Sequence, residues 1–118
     1  MSLPDSLRQT DEVSELLPDA VMLLENDFLT AGIDASLSGR IFGDVFDLRA
    51  EIARLVKQTG GPGAESFYRL LYRADIPESQ TRKALSEHAT LSFEETIAEL
   101  LIIRALQRAY YRKKFSSR

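Results

Sequence analysis

The chain has 118 residues, 44% hydrophobic and 28% charged, with a net charge of −3 and no cysteine. This length and balance describe one folded domain with a real core, and the missing thiols exclude disulfides, thiol nucleophiles and thiolate metal sites. An acidic sequence pI of about 5.2 is a poor starting point for a dedicated nucleic-acid binder, whose footprint is a basic surface.

Residues 1–10 read as a lead-in that frays. From Asp11 onward Val13, Leu16, Leu17, Val21, Leu24 and Phe28 recur at steps of three and four, the spacing of a helix face. Pro18 breaks the run, because its ring is best tolerated in the first turn of a helix. The pattern predicts either a short helix ending near Leu17 with a second beginning at Pro18, or one kinked helix. Gly32 should close it in the left-handed conformation, with Phe28 and Ile33 as the apolar pair that accompanies such a cap.

Ile33, Ala35 and Leu37 alternate like a strand, but no second strand exists to pair with them, so 33–43 is expected to be an ordered loop. Asp44 to Gln58 reads as a helix, with Val45, Leu48, Ile52, Leu55 and Val56 inward and Asp47, Glu51, Arg54 and Lys57 in water. Thr59-Gly-Gly-Pro-Gly63 breaks the chain. A shorter helix over Ala64–Ala74 points Phe67, Leu70, Leu71 and Ala74 inward and stops at Ile76-Pro77. Asp75 and Glu78 stand where they would cap the next helix, Pro77 to His88.

The last stretch, Ser92 to Arg118, is one long helix, opened by Ser92 and Glu95 at capping-box spacing. Its acids (Glu94, Glu95, Glu99) come first and its bases (Arg104, Arg108, Arg112, Lys113, Lys114) last, the order the helix dipole favours. The expected fold is all-α: a compact single domain of about five or six helices around the C-terminal one.

Catalytic signals are thin. His88 is the only histidine and has no second His or Cys with which to hold a metal, so a solvent-facing role at a helix end is expected. No nucleophile-elbow motif is present, and Gly60 to Gly63 lack the Lys-Ser/Thr end of a phosphate loop. Asp44, Asp47 and Glu51 line up three carboxylates as Mg²⁺-dependent helical enzymes do, but the facing helix offers only Glu95 and Glu99. A solvated face is the expected reading. No catalytic residue, metal or cofactor is assigned.

Two patterns remain as candidate partner contacts. Tyr68 and Tyr72 lie one turn apart, as do Arg69 and Arg73, making an aromatic-basic face before Asp75. Arg104, Arg108 and Arg112 form a ladder about 12 Å long, with Tyr111, Lys113, Lys114 and Arg118 around it. Such a strip can meet phosphates, an acidic protein face, or nothing but water. Charge is also divided along the chain: residues 1–59 hold five bases and eleven acids, −6, and residues 60–118 ten bases and seven acids, +3. The two halves can attract each other within one molecule or between two copies.

From Phe67 to Phe115 the chain resembles a group of small bacterial proteins. The resemblance is carried by Leu71-Tyr72-Arg73-Ala74-Asp75-Ile76-Pro77-Glu78 and by the helix Ile97-Ala-Glu-Leu-Leu-Ile-Ile-Arg-Ala-Leu-Gln-Arg108. It implies no activity, cofactor or partner; it suggests a local polar cluster of Tyr72, Arg73, Asp75, Arg104 and Gln107.

The start of the chain lacks a basic segment followed by an apolar one, and the run Leu100–Ile103 is too short to span a bilayer. A cytoplasmic protein with no membrane partner is expected. The sequence therefore predicts a helical binding or accessory module that works by protein–protein contact, with homodimerisation as one form, through Tyr72, Arg73, Asp75, Arg104, Arg108, Tyr111 and Arg112. Nucleic-acid or phosphate binding by the arginine strip is the alternative, and a Mg²⁺ enzyme a distant second.

Overall fold

The apolar periodicities fold into five α-helices: α1 (Asp11–Thr30), α2 (Val45–Gln58), α3 (Glu65–Arg73), α4 (Glu78–Glu87) and α5 (Phe93–Ser116). The computed structural model describes residues 11–37, 40, 42–87 and 90–116; the expectations for residues 1–10, His88 and Arg118 lie outside them. The described residues form an all-α single domain with no strand. Its radius of gyration of 13.5 Å is the value of about 13.5 Å that scaling gives for a compact chain of this length.

Helix α5 is the axis of the bundle. Its 24 residues span about 36 Å, most of the molecule's 41 Å long dimension. Packed against α1 on one side and α2 on another, with α4 touching as well, it buries apolar residues around half its circumference: Ile97, Ala98, Leu101, Ile102, Ala105, Leu106 and Ala109. Burial of side chains such as Leu101 and Ile102 contributes roughly 2 kcal/mol each. The capping box forms as its spacing predicts. Ser92 N–H donates to Glu95 Oε1 at 3.0 Å and Glu95 N–H to Ser92 Oγ at 3.1 Å, and the Ser92 backbone N–H first, then its hydroxyl, hold the Glu95 carboxyl below the usual carboxylate range.

Pro18 neither ends nor starts a helix: α1 is continuous through it. An interior proline costs about 3 kcal/mol in an isolated helix. Here Val13, Leu16, Ala20, Val21, Leu24 and Phe28 are all buried on either side of it, and that packing outweighs the local preference. Ser14, whose carbonyl loses its donor to the proline, is exposed, so water reaches it. The end of α1 follows the expected cap: Gly32 sits at φ 89° and Ile33 N–H donates to the Phe28 carbonyl at 2.8 Å.

The stretch from Ile33 to Leu37 is a loop, and the alternation that imitates a strand marks its inward side, where Ala35 and Leu37 are buried. Glu25 of α1 supplies what a neighbouring strand would have given: its Oε1 accepts the Leu37 N–H at 2.5 Å. Phe67 of α3 and Phe93 of α5 then meet with ring centroids 5.6 Å apart, fixing the short helix against the start of the long one.

Candidate functional site

The arginine ladder is not a free strip. Arg104 Nη2 lies 2.6 Å from Asp75 Oδ2, with Gln107 Oε1 at 3.4 Å from its other nitrogen. Arg108 straddles Asp27 of α1, its Nη2 at 2.5 Å from Oδ2 and its Nη1 at 3.4 Å from Oδ1. Asp27 is 2% exposed, so this pair joins α5 to α1 inside the fold. Arg108 Nε is buried beside it with no acceptor. Lys113 reaches Glu15 of α1 at 3.0 Å. Of the three arginines, only Arg112 makes no ion pair among the described residues.

A second internal pair works on the opposite side of α5. Arg49 of α2 lies 3.1 Å from the buried Glu99 and 3.8 Å from Glu95, its guanidinium stacked over Phe46 at 5.2 Å. The two acids that would have faced Asp44, Asp47 and Glu51 are thus engaged by an arginine. Two of the three carboxylates at α2 are engaged too, while Asp47 is exposed as expected. Asp44 caps the helix, its Oδ1 accepting the N–H of Phe46 and of Asp47 at 2.9 and 3.0 Å. Glu51, expected in water, has a side chain only 13% exposed and is clasped by Arg54 at 2.8 Å and Arg40 at 2.6 Å. Hydrogen bonds from Arg54, then Arg40, draw its pKa from 4.5 to about 2 against the opposing effect of desolvation. No group of three or more His, Asp or Glu among the described residues is placed to hold a metal ion.

Asp75 departs from its expected capping role. It sits at φ 60° as the left-handed residue after α3, with its N–H on the Tyr72 carbonyl at 3.1 Å and Ile76 N–H on the Leu71 carbonyl at 2.9 Å. This is a Schellman ending with aspartate in the glycine position. The turn frees the carboxylate to meet Arg104, and Arg73, expected near Asp75, is exposed without an ion pair among the described residues. Of the polar cluster suggested by the sequence, Asp75, Arg104 and Gln107 are in contact, while Tyr72, Arg73 and Asp75 line one shallow cleft with Ile76 and Pro77. Tyr72 is 83% exposed. Arg69, one turn before Arg73, pairs with Glu65.

Most of the exposed large apolar side chains lie elsewhere. Beyond Ala109 the described side chains of α5 all lie in solvent, and Tyr110, Tyr111 and Phe115 stand open there. Tyr111 and Phe115 stack at 6.3 Å with their planes 13° apart. Alongside, Arg112 joins two clefts against α1. One, of about 360 Å³, is shared with Glu15, Asp19, Met22, Ala109 and Lys113; the other, of about 330 Å³, with Met22, Leu23, Glu25, Asn26 and Leu29.

Met22 and Leu29 were outside the sequence expectation. They lie seven residues apart on the side of α1 opposite the buried Leu24 and Phe28, 61% and 52% exposed. The signal was an apolar pair at helical spacing off the core stripe. None of the helices described is long and apolar enough to cross a membrane. Comparison with known proteins returns no match to a family model, to a curated protein or to a solved structure.

Proposed function

We propose that the protein is a binding module acting through protein–protein contact, with the outer side of α1 and the end of α5 as its docking face. One observation carries the reading: of the seven large hydrophobic residues described as exposed, five (Met22, Leu29, Tyr110, Tyr111, Phe115) belong to these two segments. Met22 and Leu29 line clefts with Arg112, which makes no ion pair among the described residues. Aromatic residues, methionine and arginine are the residue types that contact surfaces favour, and grouped exposed apolar side chains mark interaction sites on soluble domains. The Tyr72 turn is a smaller second contact on the same domain.

The basic-strip alternative loses support on the same geometry. Arg104 and Arg108 are committed to Asp75 and Asp27, which leaves a single unpaired arginine where a phosphate track needs several. Photo-crosslinking in the native cell tests the protein-contact reading. A photoreactive residue at Tyr111 should give a discrete protein adduct and one at Gln80, on the exposed side of α4, none; equal labelling at both positions, or none at either, counts against it.

A further inference from the structure

Taking the α1–α5 face as a protein-contact surface, we infer that its partner is a second copy of this chain. The two copies pack face to face about a two-fold axis, with α1 of each over α5 of the other and Asp19 of each opposite the partner's Arg112. Asp19 and Arg112 line the same cleft, with Met22 beside them, both are exposed, and neither makes an ion pair among the described residues. The other charges at that cleft, Glu15 and Lys113, already satisfy one another at 3.0 Å. Among the described residues the cleft thus offers one unpaired acid and one unpaired base, with Met22 beside them.

That composition selects the occupant. An acidic partner would satisfy Arg112 and leave Asp19 covered without a base; a basic partner would do the reverse. Stranding a charge under an interface is unfavourable. A two-fold contact is self-complementary by construction, because whatever one copy presents the other presents reversed. An axis through the Asp19–Arg112 cleft exchanges the two positions, so both charges find a partner at once, and it brings the two Met22 side chains together near the axis. Leu29, farther along the same side of α1, extends the apolar strip. The larger charge division runs the same way: α1 lies in the half of the chain carrying −6 and α5 in the half carrying +3, so laying α1 of each copy over α5 of the other sets acid against base.

Sedimentation equilibrium on the full chain and its charge variants tests this. The wild-type chain should show a monomer–dimer equilibrium. Asp19→Arg and Arg112→Asp should each weaken it by roughly 10-fold or more, since each sets two pairs of like charges across the axis. The combined Asp19→Arg/Arg112→Asp variant should return to within about threefold of wild type. Met22→Glu, which places two carboxylates at the axis, should leave monomer, and unchanged thermal melts for these surface variants certify that they fold. A wild-type chain that stays monomeric to millimolar concentration overturns the inference, as does a dimer indifferent to both reversals or one the double reversal fails to restore. A strict monomer that still crosslinks a different protein through Tyr111 sinks the second copy while leaving the contact face standing. A monomer with no Tyr111-specific adduct removes both.

Discussion

Replacing Arg108 by methionine isolates the interaction that decides whether the arginine ladder belongs to the inside or the outside of the molecule. Asp27 is 2% exposed and Arg108 is its counter-charge among the described residues, at 2.5 Å. Removing one member of a buried pair typically costs about 3–5 kcal/mol, because the remaining charge is left in a low-dielectric site. The Arg108 side chain is itself 22% exposed, so water can follow its removal, and the lower end, about 3 kcal/mol, is expected. A chain of this size unfolds with an entropy of about 0.25 kcal/mol per kelvin, so the melting temperature should fall by about 12 °C.

The double variant Asp27→Leu/Arg108→Met makes the test sharper. The ion pair carries its own desolvation, including an Arg108 Nε with no acceptor, so replacing both partners with apolar groups should return stability to within about 1 kcal/mol of wild type. The cycle must then be strongly non-additive. Calorimetric melts of the four proteins, with urea unfolding as a second readout, measure all three differences. If Arg108→Met alone lost less than about 1 kcal/mol, or if the two changes simply added, Arg108 would be a solvated side chain. The phosphate-binding alternative would then regain its strip.

The Glu51 clasp predicts a particular acid limb. A carboxyl held at about 2 when folded and 4.5 when unfolded stabilises the fold fully above 4.5, and the contribution fades as pH falls through about 2. The shift itself bounds the effect at about 3 kcal/mol, and the solvated arginines reduce it to about 1 kcal/mol. Glu51→Gln should therefore be less stable than wild type near neutral pH and converge with it in acid; a gap constant with pH would refute the clasp. At the α3 ending, Asp75→Gly loses the Arg104 contact but relieves the left-handed backbone, while Asp75→Ala loses the contact and keeps the strain. Glycine should be the more stable of the two by about 1 kcal/mol in urea midpoints, and an alanine variant that matched it would mean Asp75 does not occupy that conformation.

What could be read in the sequence was local, and what could not was a relation between distant segments. Ser92 with Glu95, and Phe28 with Gly32 and Ile33, are caps written within six residues, and both form as their spacing requires. Buried stripes such as Leu48-Ile52-Leu55 and Leu101-Ala105 follow from helical period alone. At Pro18 the sequence left two helices or one open, and the single helix won because burial on both sides of the proline, a tertiary quantity, outweighed a local penalty. The fate of the arginine ladder was equally hidden. Periodicity shows that Arg104, Arg108 and Arg112 share a side of one helix, but Arg108 finds Asp27 across 81 residues and Arg104 finds Asp75 across 29. Asp75 also carried a misleading signal: an aspartate three residues before Glu78 looks like a cap for α4, whereas its left-handed φ makes it the end of α3.

This division of the ladder gives stability and assembly separate handles. Arg104 and Arg108 tie α5 to the α3–α4 turn and to α1, so changing them alters the fold before it alters any surface. Arg112 is one turn further along, past the last buried residue Ala109, where the helix has left the core and a side chain can change with little loss of internal packing. A variant at Arg112 can therefore lose association without losing its melting temperature, and a variant at Arg108 should do the opposite. If both properties moved together at both positions, the end of α5 would be part of the packed domain, and the contact face would have to be sought at Tyr72 instead.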